Sequence, residues 1–125
     1  MIIDKLDLEL WMISLIGNHN ADAIRTVTIP KWKNEGFVVN LFNAITPKTI
    51  HNSITKLDFG YKNTKSTKTD IEFTETEKAI WYSHFHLWQK CVEINKPLLI
   101  IEEDVKPIKK FKDTWQTSYY KDSYY

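Results

Sequence analysis

Pro97-Leu98-Leu99-Ile100-Ile101-Glu102-Glu103-Asp104-Val105 is the stretch whose reading decides the fold. Four aliphatic residues in a row after a proline predict a strand covered on both faces, the pattern of parallel sheets. The run then ends in three adjacent carboxylates. Like charges that close raise one another's pKa, and a divalent cation removes the penalty. In open α/β sheets, ligands bind beyond the carboxyl ends of the strands, which is where these acids fall. Extended backbone through the acids puts Glu102 and Asp104 on one side and Glu103 on the other. An acid-x-acid pair on one side offers hard oxygen ligands to Mg²⁺ or Mn²⁺ and, through the ion, to a diphosphate. The competing reading is a solvated acidic turn running into Lys106-Pro107.

Around this stretch, the 125 residues fit a single domain over 1–125 with a real hydrophobic core. Five Trp residues and an aromatic content of 14% predict packed elements rather than disorder. A net charge of +1 gives no electrostatic case for nucleic acid or a membrane surface, so neither is expected as a partner. Cys91 has no second cysteine to pair with, fits a reducing compartment, and falls in a helical pattern as a small core residue. The first residues carry acids where a signal peptide needs a basic start. No segment approaches the roughly 20 apolar residues that span a bilayer. A cytoplasmic location is the expectation.

Toward the N-terminus, Leu6 to Leu10 alternates with period two and Trp11 to Ile16 is almost wholly apolar. These predict one or two strands, the second central in a sheet. Gly17 to Asn20 reads as a turn, with Asn20 as N-cap of a helix from Ala21. Val27, Thr28 and Ile29 weaken that helix, and Pro30 is expected to kink or end it. Gly36 closes the segment, and Phe37 to Phe42 predicts the next strand. Thr46-Pro47 has the form of an N-cap followed by proline at the first helical position, with Ile50, Ile54 and Leu57 at helical spacing and Gly60 as the stop. Tyr61 to Asp70 reads as an exposed loop.

Thr74-Glu75-Thr76-Glu77 matches a capping box and opens the best-marked helix. Its apolar face is expected to run through Ile80, Trp81, Phe85, Leu87, Trp88, Cys91 and Val92, with Asn95 and Pro97 ending it. The lysine- and tyrosine-rich tail, 106–125, is weakly patterned and expected to be poorly ordered. Strand and helix thus alternate along the chain, which predicts an α/β domain with a mostly parallel sheet and right-handed crossovers.

Several chemistries are disfavoured by pattern. Gly17, Gly36 and Gly60 are too dispersed for a dinucleotide or P-loop fingerprint, and no G-x-S-x-G elbow occurs. His84 and His86 are two apart on a helix and point about 200° from one another, so they cannot share one metal. Ser83, His84 and Asp104 make a triad only on paper, because adjacent helix residues do not face each other. His84 lies in the apolar stripe and reads first as a hydrogen-bonded core residue, while His86 and Glu93 are expected in solvent.

Taken in order, Phe73-Thr74-Glu75-Thr76-Glu77, Ser83-His84-Phe85-His86-Leu87-Trp88 and Leu99-Ile100-Ile101-Glu102-Glu103-Asp104-Val105 resemble glycosyltransferase family 25. Trp11-Met12-Ile13-Ser14-Leu15, Arg25 and Phe42-Asn43-Ala44-Ile45 are similar to its earlier segments, more loosely. The resemblance implies a GT-A fold, a Rossmann-like and mostly parallel sheet flanked by helices, here in truncated form. It implies transfer of a hexose, galactose foremost, from a UDP-sugar to a glycan or protein acceptor. By the same analogy Glu102, Glu103 and Asp104 would hold Mn²⁺ or Mg²⁺. Ser14, Leu15, Arg25, Ala44, Ile45, Glu77, Ser83 and His84 would surround the nucleotide sugar. The family's Glu-Asp-Asp is Glu-Glu-Asp in this chain, and no residue is assignable as the general base. Two other functions fit the sequence: a non-catalytic relic that binds a nucleotide or partner protein, and an aromatic module that forms homodimers.

Overall fold

The computed structural model describes residues 8–50 and 73–108, and the architecture that follows is that of these residues. Its elements are β1 (Glu9–Ser14), α1 (His19–Asn34), β2 (Val39–Asn43), α2 (Glu75–Ile94) and β3 (Leu98–Glu102). The three strands form one sheet in the order β2-β1-β3, and both pairings are parallel. Met12 lies opposite Leu41 on one side and Ile101 on the other, so β1 is the central strand as its apolar run predicts. Because β2 and β3 flank β1 on opposite sides, right-handed crossovers put α1 and α2 on opposite faces.

Strand alternation divides the core accordingly. Leu10, Met12 and Ile101 pack with Trp32 and Phe37, supported by Ile29, Val39 and Leu99, on the α1 side. On the other side the Lys90 ammonium lies 4.8 Å from the Trp11 ring, and Phe42 meets His86 at 6.1 Å. Ala79 and Tyr82 of α2 pack with Ile50, against Ile45 and Phe85.

Several boundaries differ from expectation for local physical reasons. The cap of α1 is Asn18, whose Oδ1 accepts the Ala21 N–H at 3.1 Å, so the helix starts before the expected Asn20 cap. Gly17 at φ +88° makes the turn, and β1 stops at Ser14, leaving Leu15 and Ile16 exposed beyond it. Pro30 does not end α1, which continues to Asn34. Burial of Trp32 against the sheet outweighs the roughly 3 kcal/mol that an interior proline costs a helix. At Thr46, the amide donates to Thr49 Oγ1 at 2.9 Å and the carbonyl accepts from Ile50 at 2.9 Å, the opening turn its Thr-Pro start signal predicts. The rest of that expected helix, the Tyr61 to Asp70 loop and the tail from 109 onward lie outside the described residues.

In α2, Glu77 N–H donates to Thr74 Oγ1 and Thr74 N–H donates to Glu77 Oε1, both at 3.1 Å, which is the capping box the sequence predicts. Asn95 closes the helix in the left-handed region at φ 52°. The face buried is only partly the one expected: Leu87 is buried and Phe85 packs against the core as predicted, but Ala79, Tyr82 and Ser83 are buried as well, whereas Ile80, Trp81, Trp88 and Val92 are exposed. Small residues at 79 and 83 let α2 approach the segment after β2, where Ala79 packs with Ile50 and Ser83 bonds the Ile45 amide. His86 is half-buried with Nε2 covered, rather than standing in solvent. Cys91 is half-buried rather than a core residue, and its Sγ–H donates to the Lys96 carbonyl at 3.0 Å. Thr74→Ala is expected to lower stability by about 1 kcal/mol, read as a shift in the urea midpoint, with Thr74→Ser close to the parent.

A candidate ligand site at the carboxyl edge of the sheet

Three parallel strands deliver their carboxyl ends to one edge. After β1 the chain leaves toward α1 and after β2 toward α2, on opposite faces of the sheet, and such a divergence is where open α/β sheets form a crevice. A half-open cleft of about 290 Å³ lies there. The end of β1 supplies Ile13 and Leu15, and the chain after β2 supplies Ala44 to Pro47. Thr76, Ala79, Ile80, Ser83 and His84 of α2 form the facing wall, and Glu102 and Glu103 close the cleft at β3.

The walls are fixed by side chains that bridge elements. Ser83 is buried, accepts the Ile45 N–H at Oγ over 2.9 Å and donates to the Ala79 carbonyl at 3.3 Å, so it ties α2 to the segment after β2. Ala44 N–H donates to the Ser14 carbonyl at 2.8 Å, and Ile16 N–H to Asn43 Oδ1 at 3.3 Å. Behind Leu15, the Arg25 guanidinium donates to Ser14 Oγ at 2.5 Å and to the Leu15 carbonyl at 3.3 Å, and it is paired with Asp22. The same Asp22 oxygen accepts the Gly17 N–H at 3.2 Å. Across the sheet, the Trp32 Nε1–H donates to the Val105 carbonyl at 2.7 Å and anchors the chain leaving the acid run.

Of the residues the sequence pointed to, the fold brings Leu15, Ala44, Ile45, Ser83, His84, Glu102 and Glu103 together around one cleft. Four do not line it. Ser14 is fully buried and Arg25 is held against it; Glu77 is engaged in the capping box. Asp104 is the fourth, and the expected strand alternation fails at this point. β3 ends at Glu102, the Val105 N–H turns back to the Glu102 carbonyl at 3.1 Å, and the cleft receives Glu102 with Glu103 instead of with Asp104. Among the described residues no three His, Cys, Asp or Glu side chains converge as a metal-ligand set. The paper triad of Ser83, His84 and Asp104 is likewise unassembled, because Asp104 is not at the cleft.

Ile13, Thr46, Pro47, Thr76, Ala79 and Ile80 are cleft residues that sequence reasoning missed. Only Thr46-Pro47 carried a usable signal, a helix start placed just past a strand end. Two carboxylates, one imidazole and three hydroxyls (Thr46, Thr76 and Ser83) face an otherwise apolar lining that contains no Lys or Arg. Such a lining suits a hydroxyl-rich ligand, or an anion that arrives with its own cation.

A three-stranded parallel sheet flanked by two helices, with a cleft at its carboxyl edge, fits a Rossmann-like α/β domain. Residues 10–123 match the family model described as glycosyltransferase family 25 (LPS biosynthesis protein), and the chain belongs to that family. No curated protein and no solved structure matches it. Among the described residues no helix is long and apolar enough to cross a membrane.

Proposed function

We propose that the cleft is the donor site of a glycosyltransferase that moves a hexose, galactose foremost, from a UDP-sugar to a glycan or protein acceptor. One observation carries the reading: seven residues singled out by family resemblance, dispersed from Leu15 to Glu103, converge on one cleft at the carboxyl edge of the sheet. A volume of about 290 Å³ is near the lower end of the roughly 300–1,000 Å³ of small-molecule sites. It accommodates one lobe of a nucleotide sugar, the rest lying along the open side. Leu15, Ala44 and Ile45 offer the apolar wall, and His84, which lines the cleft, would hydrogen-bond the ligand.

Glu102 and Glu103 suit a cation that the diphosphate brings with it. Mg²⁺ commonly takes one or two carboxylates and completes its shell with phosphate oxygens and water. They do not make a self-sufficient cage, since Asp104 lies outside the cleft. When bound, Mn²⁺ or Mg²⁺ would neutralise charge on the departing nucleotide. Calorimetric titration of UDP, in EDTA and then in Mn²⁺, tests both parts. Binding is expected in both, at least about tenfold tighter with Mn²⁺, which corresponds to about 1.4 kcal/mol. The Glu102→Gln, Glu103→Gln double variant is expected to lose the Mn²⁺ enhancement. Equal enhancement in the variant removes the metal role; no binding of UDP or a UDP-hexose by the parent removes the donor site.

A further inference from the structure

The loop between β1 and α1 carries Leu15 into the cleft, yet little apolar burial holds it there. Leu15 and Ile16 are 37% and 49% exposed, and the chain from Leu15 to Asn20 lies at the surface. An exposed segment of this kind keeps one position only where its backbone polar groups are tied down. Here the ties converge on two side chains of α1. Arg25 Nη1 donates to Ser14 Oγ and to the Leu15 carbonyl, while Nη2 is paired with Asp22. The Asp22 carboxylate also accepts the Gly17 N–H at 3.2 Å, and the Leu15 carbonyl accepts the Asn18 N–H at 3.2 Å. Gly17 itself turns at φ +88° with open space where a Cβ would stand, so no side-chain packing fixes the turn.

The Arg25 side chain is sheltered, 11% exposed against 44% for Asp22, and its donors face the loop rather than the cleft. We propose that Arg25 is a positioning residue for the cleft: with Asp22 it clasps the β1–α1 loop and sets Leu15 in the wall, without touching the ligand. The role asks for arginine in particular. Its contacts use two nitrogens of one rigid fork, which the single ammonium of a lysine does not reproduce. The clasp reaches a second part of the wall as well, because Ser14, whose hydroxyl Arg25 holds, accepts the Ala44 N–H at its carbonyl over 2.8 Å. Its effect on UDP rests on the cleft being the donor site, whereas the clasp itself is a property of the loop.

The test pairs UDP titration with amide exchange followed by NMR, both on the full chain. Arg25→Met keeps an unbranched stem and removes every donor, and UDP affinity is expected to fall about tenfold. Leu15→Ala is expected to weaken binding too, and the Leu15→Ala, Arg25→Met double variant to bind no worse than Arg25→Met alone, because a wall no longer held has nothing more to lose. Losses that multiply in the double variant overturn the proposal, since Arg25 then meets the ligand by a contact of its own. Amide exchange supplies a readout independent of UDP. Ile16 and Gly17 are expected to exchange about tenfold faster in Arg25→Met, with Met12 of the central strand much less affected. Equal acceleration at Met12 assigns Arg25 to general stability and overturns the clasp, as does unchanged exchange at Gly17. Full recovery by Arg25→Lys overturns it as well, by reducing Arg25 to a charge. If the parent binds no UDP while the loop amides respond, the donor reading falls and the clasp stands; if the parent binds UDP and Arg25→Met binds it equally well, the reverse holds.

Discussion

Trp32→Ala is expected to destabilise the domain by about 3–5 kcal/mol, the range for truncating a fully buried aromatic side chain. Trp32 is 2% exposed, packs with Leu10, Met12 and Ile101, and meets Phe37 edge-on at 5.8 Å. Against the roughly 5–15 kcal/mol that holds an ordinary domain together, such a loss brings the chain near its unfolding threshold. The more informative variant is Trp32→Phe. It keeps an aromatic ring in the core, though a smaller one, and deletes the donor that holds the Val105 carbonyl. That carbonyl lies just past the acid run, whose turn closes from Val105 back to Glu102. Releasing it lets Glu103 leave the cleft, so UDP affinity in Mn²⁺ is expected to fall about tenfold while urea denaturation shows a loss of about 1–2 kcal/mol. Phe37→Leu is the control, a comparable core loss with no link to the acids. Parent-like UDP binding by Trp32→Phe would show that the 2.7 Å bond does not position the site.

This bond also shows where sequence reading reaches its limit. The capping box at Thr74, the stop at Asn95 and the central place of β1 are local signals, each satisfied within a few residues or by one strand's own composition. They were legible for that reason. Trp32 and Val105 are 73 residues apart, and nothing near either announces the other. The face of α2 was partly misread for a different cause. Both sides of that helix carry apolar residues, so a 3.6-residue period cannot choose between them, and the choice falls to the small Ala79 and Ser83 that allow close approach. The acid run was misread because alternation presumes a strand that continues, whereas β3 ends at Glu102. The acid run itself brought Glu102 and Glu103 to attention, and resemblance added Ser83 and His84 as donor-site residues. Resemblance could not tell lining from support, and so grouped Arg25 and Ser14 with the residues that face the cleft.

Support of that kind gives the second large effect, at Ser83. Its hydroxyl joins α2 to the segment after β2, accepting from Ile45 at 2.9 Å. Ser83→Val removes the acceptor, so that the half-buried Ile45 N–H loses its partner, and it adds one methyl group at a buried position, a change that Ser83→Thr shares while keeping the hydroxyl. Leaving such a donor unmade costs about 1–3 kcal/mol, well above the few tenths lost by placing a β-branched residue in a helix. The chain can relieve part of this only by moving Ile45 off α2, and Ile45 stands in the cleft wall between Ala44 and Thr46. Stability and ligand affinity should therefore fall together in Ser83→Val, UDP binding by about tenfold or more. Thr74→Ala weakens the same helix at its exposed start by about 1 kcal/mol and should leave UDP affinity unchanged. Ser83→Thr keeps the hydroxyl and should recover most of the binding. If Ser83→Val and Thr74→Ala bind UDP equally well, the hydroxyl only stabilises the fold and the wall it holds is not part of the donor site.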